Sequence, residues 1–208
     1  TVSALENRVL EAIVRVNLGY AHKRLNQDQA ALTSFETALT FAQDLKLNKV
    51  EIAALDGLGQ IYSKLGQLEK ALVFHQQALD QSRYSGDVEG EIDALLNFAR
   101  DYAIAKRFED VLEVATQALQ IAQKVARKKS VIEAHHVLSQ AYEHRHNPQQ
   151  ALFHFREGYR LEKFLFNEER ENKNRQLAIQ FDLERAQYQA GVYRIRTEIE
   201  REAKERAE

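Results

Sequence analysis

Residues 57–78 read GLGQIYSKLGQLEKALVFHQQA. A large residue, Leu58, precedes a small one, Gly59, and an aromatic, Tyr62, follows three residues later. Two alanines, Ala71 and Ala78, stand seven apart, about two helical turns, so they share one helix face. Gly66-Gln67 lies between these halves and punctuates an otherwise helical pattern. The stretch predicts two helices joined by a tight turn.

The arrangement recurs every 40 residues. The small position is Gly19, Gly59, Ala99 and Ser139, preceded by Leu18, Leu58, Phe98 and Leu138. Three residues on stand His22, Tyr62, Tyr102 and Tyr142; twelve on stand Ala31, Ala71, Val111 and Ala151. Phe35, His75, Ala115 and Phe155 form a fifth column, and Ala38, Ala78, Ala118 and Gly158 a sixth. Repetition at this period marks a solenoid in which each hairpin buries its faces against its neighbours. Helices that cross closely need a small residue where they meet, so the Gly/Ala/Ser column predicts that two backbones touch there. Turn signals agree: Asn26-Gln27, Gly66-Gln67 and Asn147-Pro148 fall inside hairpins, with Asn147 as cap and Pro148 at the first helical position. Ser85-Gly86-Asp87 and Lys128-Lys129-Ser130 read as turns between hairpins, with Asp87 and Ser130 as caps. Ser3 with Glu6 reads as a capping box at the first helix.

Composition bounds the function. Hydrophobic residues make up 44% of the 208, enough for a core, and one proline with eight glycines favours long helices over a turn-rich β fold. A net charge of −2 provides no global field for nucleic acid or an anionic membrane. No cysteine is present, which removes disulfides, thiolate metal sites and cysteine nucleophiles. No apolar run approaches the ~20 residues of a membrane span, and a cytoplasmic location is the expectation. A start at Thr1 and the lack of methionine point to a segment of a longer protein.

Leu58-Gly59, Tyr62, Gly66, Ala71 and Ala78 together resemble the tetratricopeptide repeat signature, over residues 12 to 160. The usual period is about 34; here six more residues lie between hairpins, lengthening the second helix and the next first helix by about 9 Å in total. The column that often carries a large aromatic holds Arg15, Leu55, Leu95 and His135, and the proline that often closes the second helix is missing. The 40-residue form is similar to the extended repeats of adaptor scaffolds and bacterial regulators. The resemblance implies an all-α, right-handed superhelical solenoid of four hairpins (about 4–45, 48–85, 88–126 and 130–160), followed by a long charged helix over 161–208.

It also implies a concave groove lined by the first helix of each hairpin. The positions facing it are Asn17, Tyr20, Lys23 and Arg24 in the first repeat, Gln60 and Lys64 in the second, Asn97 and Arg100 in the third, and Gln140 and His144 in the fourth. Asn17 and Asn97 suit a peptide backbone because an amide donates and accepts at once. Lys23, Arg24, Lys64 and Arg100 make the groove basic and fit an acidic or C-terminal carboxylate. The paired Lys/Asn pattern that clamps chaperone C-termini is absent, since Val16 and Tyr20 stand where it would begin. The partner expected is a protein or peptide segment.

From Pro148 onward only Gly191 interrupts helix-forming sequence, which if unbroken spans about 60 residues and roughly 90 Å. Residues 167–176, NEERENKNRQ, hold no apolar residue and read as a solvated neck or a local break. Beyond them Ala178, Phe181, Tyr188, Val192, Ile195 and Ile199 follow three- and four-residue steps, a short imperfect heptad seam. Two readings stand: the seam folds back to cap the last repeat, or it pairs with a second copy as a coiled-coil homodimer. The style of the segment is similar to linkers between sensory repeats and output domains in bacterial signalling proteins.

The remaining chemistry is sparse. His136 and His144 lie eight apart on one helix, about 12 Å, with Gln140 between them, too far to share a metal ion. His22 and His75 replace aromatics in packing columns. Glycines are isolated, so no phosphate-cradling loop exists, and no nucleophile has a base at a defined spacing. No cofactor, metal or catalytic residue is expected, and the pI of 6.4 with irregular columns argues against an RNA-reading array.

Overall fold

A computed structural model describes the backbone of residues 2–205 and the side chains of residues 5–188, 190 and 191. Among these residues the order is α1 (Val2–Arg24), α2 (Asp28–Leu45), α3 (Asn48–Lys64), α4 (Leu68–Ser85), α5 (Val88–Ile104), α6 (Phe108–Lys124), α7 (Lys128–His144) and α8 (Pro148–Glu205), with no strand. The chain divides into two compact units, Thr1–Leu161 and Glu162–Glu208.

In the first unit every connection is one turn repeated. Asn26, Lys46, Gly66, Gly86, Lys106, Ala126 and His146 all have φ between 54° and 73°, one left-handed residue every twenty. The N–H after each donates back across the turn at 2.8–2.9 Å: Gln27 to His22, Leu47 to Ala42, Gln67 to Tyr62, Asp87 to Ser82, Arg107 to Tyr102, Arg127 to Ala122 and Asn147 to Tyr142. This is a Schellman C-cap. The carbonyl of the same residue opens the next helix, as Gln27 does for Ala31 at 2.9 Å. One residue therefore ends one helix and begins the next, which is why helices α2 to α7 are all 17 or 18 residues long.

Two side chains cap as expected: Asp87 accepts from the Gly90 N–H at 3.1 Å, and Asn147 from Gln150 at 3.2 Å ahead of Pro148. Two readings are corrected. The turn before α7 is Val125-Ala126-Arg127 rather than Lys128-Lys129-Ser130, and Ser130 lies buried within α7. No glycine marks that turn, because Ala126 takes the left-handed conformation. Helix α1 already runs from Val2, so Ser3 is not the residue ahead of the helix.

From α1 to α7 each helix packs on its chain neighbour, and the first helices also touch each other: α1 on α3, α3 on α5, α5 on α7. Helices α2, α4 and α6 make no such mutual contact. The first helices are thus the crowded inner wall and the second helices the splayed outer wall, which makes the unit a superhelical solenoid with a concave face. Its core is the predicted columns: Ala31, Ala38, Ala71, Ala78, Val111 and Ala118 are fully buried, as are Leu58, Leu95 and Leu138.

The small column works differently from the expectation. A Cβ on Gly19 would lie 2.5–2.7 Å from the Phe35 ring, and one on Gly57 would meet the same ring from the next hairpin. On Gly59 it would meet the His75 imidazole. What the glycines admit is an aromatic ring of the second helix, not a second backbone. The fourth repeat departs again: Phe155 is exposed, and His154 beside it is buried against His135 and stacks on Tyr142 at 5.5 Å. Leu18 is exposed while Leu58, Phe98 and Leu138 are buried.

The second unit is the continuation of α8. Residues 168–176 are exposed and helical, so the apolar-free stretch is a neck without a break. Phe181 and Tyr188 are exposed, as are Leu177, Ile179 and Leu183. Val192, Ile195 and Ile199 lie outside the residues whose side chains are described.

Candidate binding groove

Five of the ten expected groove residues line one cavity of about 390 Å³ on the concave wall: Lys23 from α1, Gln60 and Lys64 from α3, Asn97 and Arg100 from α5. Ser63, His75, Asp101 and Ile104 complete it. Tyr20 lies in an adjoining pocket of about 250 Å³ with Asp56, Glu89 and Asp93. Asn17, Arg24, Gln140 and His144 line neither cavity; all are exposed, and His144 stacks on Phe108 at 4.5 Å between centroids.

The floor is organised by two acids that the sequence reading did not single out, Asp56 and Asp101. Asp56 accepts from Gln60 Nε2 at 2.7 Å, from the Tyr20 hydroxyl at 3.3 Å and from Asn97 Nδ2. Tyr20 also donates to the Ala53 carbonyl at 3.2 Å. Burial raises the Asp56 pKa, with His75, Arg100, Gln60 and Lys23 opposing it. Burial and then Asp56 push the Tyr20 hydroxyl well above its usual range, so it stays a donor. Asp101 forms the second centre: His75 Nδ1 lies 2.8 Å from its Oδ2, and Ser63 Oγ donates to its Oδ1 at 2.5 Å. The other ring nitrogen of His75, Nε2, faces Gly59 without a hydrogen-bond partner.

A sequence signal for both acids exists. Asp56 stands in a column with Val16, Leu96 and His136, and Asp101 in one with Ala21, Ile61 and Ala141. A carboxylate in an apolar column has to find partners, and these find them in neighbouring repeats.

The rim is cationic. Lys64 pairs with Asp28 at 2.6 Å and with Asn26 at 2.9 Å, Arg100 bonds Glu133 and Asn97, and Lys23 bonds Gln60. Burial lowers the Lys23 pKa, as do Arg100, Arg24 and Lys64, while Asp56 raises it. Asn97 corrects the expectation. It is buried, with its amide divided between Asp56 and Arg100, so it builds the floor and does not offer itself to a ligand.

Sequence comparison identifies the repeats. Tetratricopeptide-repeat family patterns match residues 12–45 and 50–124. The chain carries tetratricopeptide repeats. A curated relative, tetratricopeptide repeat protein 29 of Trypanosoma brucei brucei, is 28% identical over 137 residues, 66% of this chain. The chain spans 28% of that relative's length. Among solved structures, aspartyl phosphate phosphatase F from Bacillus subtilis superposes with a TM-score of 0.72 at 13% identity, covering 76% of this chain and 42% of its own. BtubC from P. vanneervenii gives 0.68 at 16%, covering 76% and 65%. At such identities the likeness is one of fold, and it covers the tetratricopeptide solenoid. Among the described residues no group of three or more histidines or carboxylates could hold a metal ion, and no helix is long and apolar enough to cross a membrane.

Proposed function

We propose that this tetratricopeptide chain is a cytoplasmic regulatory module that binds a peptide or protein segment in its concave groove. The observation that carries the reading is the 390 Å³ cavity, where Lys23, Lys64 and Arg100 converge over a hydrogen-bonded floor. Three cations from three repeats suit a carboxylate, and the acids that Lys64 and Arg100 now pair with, Asp28 and Glu133, are half-buried side chains at the solvent edge that a ligand carboxylate can replace. Because Asn97 holds Asp56, its substitution would damage the floor; the rim is the place to test. Lys64→Gln with Arg100→Gln removes two cations while leaving polar side chains in place, and titration against peptides with free or amidated C-termini reads the effect. A loss of tenfold or more for free-carboxylate peptides is expected; unchanged affinity rejects the groove. Absence of binding by every peptide in the unmodified chain favours a passive scaffold instead.

The second unit supports a further part of the reading, pairing with another copy along the helix to pass a groove signal to a joined output domain, as in bacterial signalling proteins. Phe181 and Tyr188 are large, apolar and exposed on it. Phe181→Glu with Tyr188→Glu should halve the mass measured by light scattering; a mass that stays the same removes the homodimer.

A further inference from the structure

Three of the four first helices end on a basic residue: Arg24 closes α1, Lys64 closes α3 and His144 closes α7. A basic side chain suits that place, because it meets the unpaired carbonyls and the negative end of the helix dipole. Helix α5 ends on Ile104 instead. Isoleucine forgoes that interaction and gains nothing from the core, since Ile104 is 58% exposed. The residue before it changes in the same sense, with Ala103 where Lys23, Ser63 and Glu143 stand. Neither helix stability nor packing accounts for an aliphatic side chain here.

Its surroundings do. Ile104 lines the 390 Å³ cavity beside Lys23, Lys64 and Arg100, and among the described residues of that wall it is the one aliphatic side chain. Arg100 and Ile104 stand one turn apart on α5, about 6 Å along the helix axis. The acid of the cavity, Asp101, is engaged by His75 at 2.8 Å and by Ser63 at 2.5 Å, so the cations at the rim face the opening. A carboxylate site and an aliphatic seat are therefore neighbours.

That spacing separates two sources of a carboxylate. In the last residue of a peptide, carboxylate and side chain leave the same Cα, so an anion and an aliphatic group are held within one helical turn of each other. In an internal aspartate or glutamate the carboxylate is itself the end of the side chain, and no aliphatic group is fixed beside it. Resting on the groove reading above, we propose that the cavity takes the free C-terminus of a partner whose last residue is aliphatic. Lys23, Lys64 and Arg100 receive the terminal carboxylate, and Ile104, with the methylene stems of the lysines, receives the side chain. The cations fix where the partner chain ends; Ile104 selects what ends it.

N-acetylated hexapeptide pools, random at the first five positions and fixed at the sixth, test this by binding to the immobilised full chain. Free-carboxylate pools ending in Leu or Val should bind about tenfold more tightly than those ending in Gly or Asp. Ile104→Lys gives α5 the kind of residue that ends the other first helices, and circular dichroism verifies that the variant keeps its helicity. It adds a cation while removing the aliphatic group, so the preference for Leu should vanish although the cavity becomes more basic. Ile104→Ala, which shortens the side chain without adding charge, should show the same loss. Equal binding of the Leu, Gly and Asp pools, or a Leu preference that survives both variants, overturns the assignment while the groove reading stands. An amidated pool ending in Glu that binds as well as the free Leu pool gives the carboxylate to a side chain and overturns it too. Binding by no pool removes both readings together.

Discussion

Substituting Gly57 by Ala tests the ring-and-glycine packing, because its sign depends on one neighbour. In a helix interior Gly→Ala ordinarily stabilises by about 0.5–1 kcal/mol through backbone entropy. At Gly57 the new Cβ would sit 2.7 Å from Phe35 Cδ1 and closer still to Cε1 and Cζ. Carbon atoms in good contact are about 3.5–4.0 Å apart. Phe35 is fully buried between Gly19 and Gly57, so its ring has no open side to retreat to. Overpacking of this kind costs about 1–3 kcal/mol, which outweighs the propensity gain. Gly57→Ala should therefore destabilise the chain. Phe35→Ala alone should cost about 3–5 kcal/mol by opening a cavity. With the ring removed the methyl enters empty space, so Gly57→Ala should stabilise the Phe35→Ala chain by about 0.5–1 kcal/mol. A double-mutant cycle then gives a coupling of about 2 kcal/mol. Urea unfolding followed by helical circular dichroism reads all four chains. If Gly57→Ala shifts the midpoint in the same direction in both backgrounds, the ring is not what the glycine accommodates.

Two other predictions concern the turns and the last hairpin. Ala126 holds φ 55°, a conformation that costs a residue with a Cβ roughly 1–2 kcal/mol; Ala126→Gly should raise stability by about 0.5–1 kcal/mol after the entropy that glycine adds to the unfolded chain, and an unchanged or lower midpoint would contradict it. His135 and His154 face each other through Nδ1 at 2.9 Å, and burial, followed for His154 by His135 itself, lowers both pKa values below 6.5. Unfolded, they take up protons near pH 6.5 while folded they do not, so their contribution is full above that pH and is lost as pH falls toward the folded values. Unfolding midpoints should drop between about pH 7 and about pH 5, and His135→Leu with His154→Phe, residues that other repeats use at these columns, should flatten the drop; an equal slope in that variant refutes the pair as its source.

Much of this chain was legible as text because a solenoid is close to one-dimensional. Each hairpin obeys the same local rules, so four copies of one pattern located the helices and the buried alanines, while the inner wall came from the resemblance to tetratricopeptide repeats. Where local signals are degenerate the reading slipped, as at Ala126, which turns the chain without a glycine, and at Phe155, whose column implied burial. The groove was half legible. Lys23, Gln60, Lys64, Asn97 and Arg100 could be assigned to one wall once the tetratricopeptide resemblance named the groove-facing positions, but not the acids that organise them.

The division has a physical cause. Helix periodicity and turn chemistry depend on residues within a turn or two, so the repeat, its all-helical class and the face each side chain occupies follow from the sequence by itself. The contacts of Asn97 with Asp56, Ser63 with Asp101, and Phe35 with Gly57 span 22 to 41 positions and depend on how closely successive hairpins stack. Only the folded stack decides that Asn97 is floor instead of hook and that a glycine makes room for a ring.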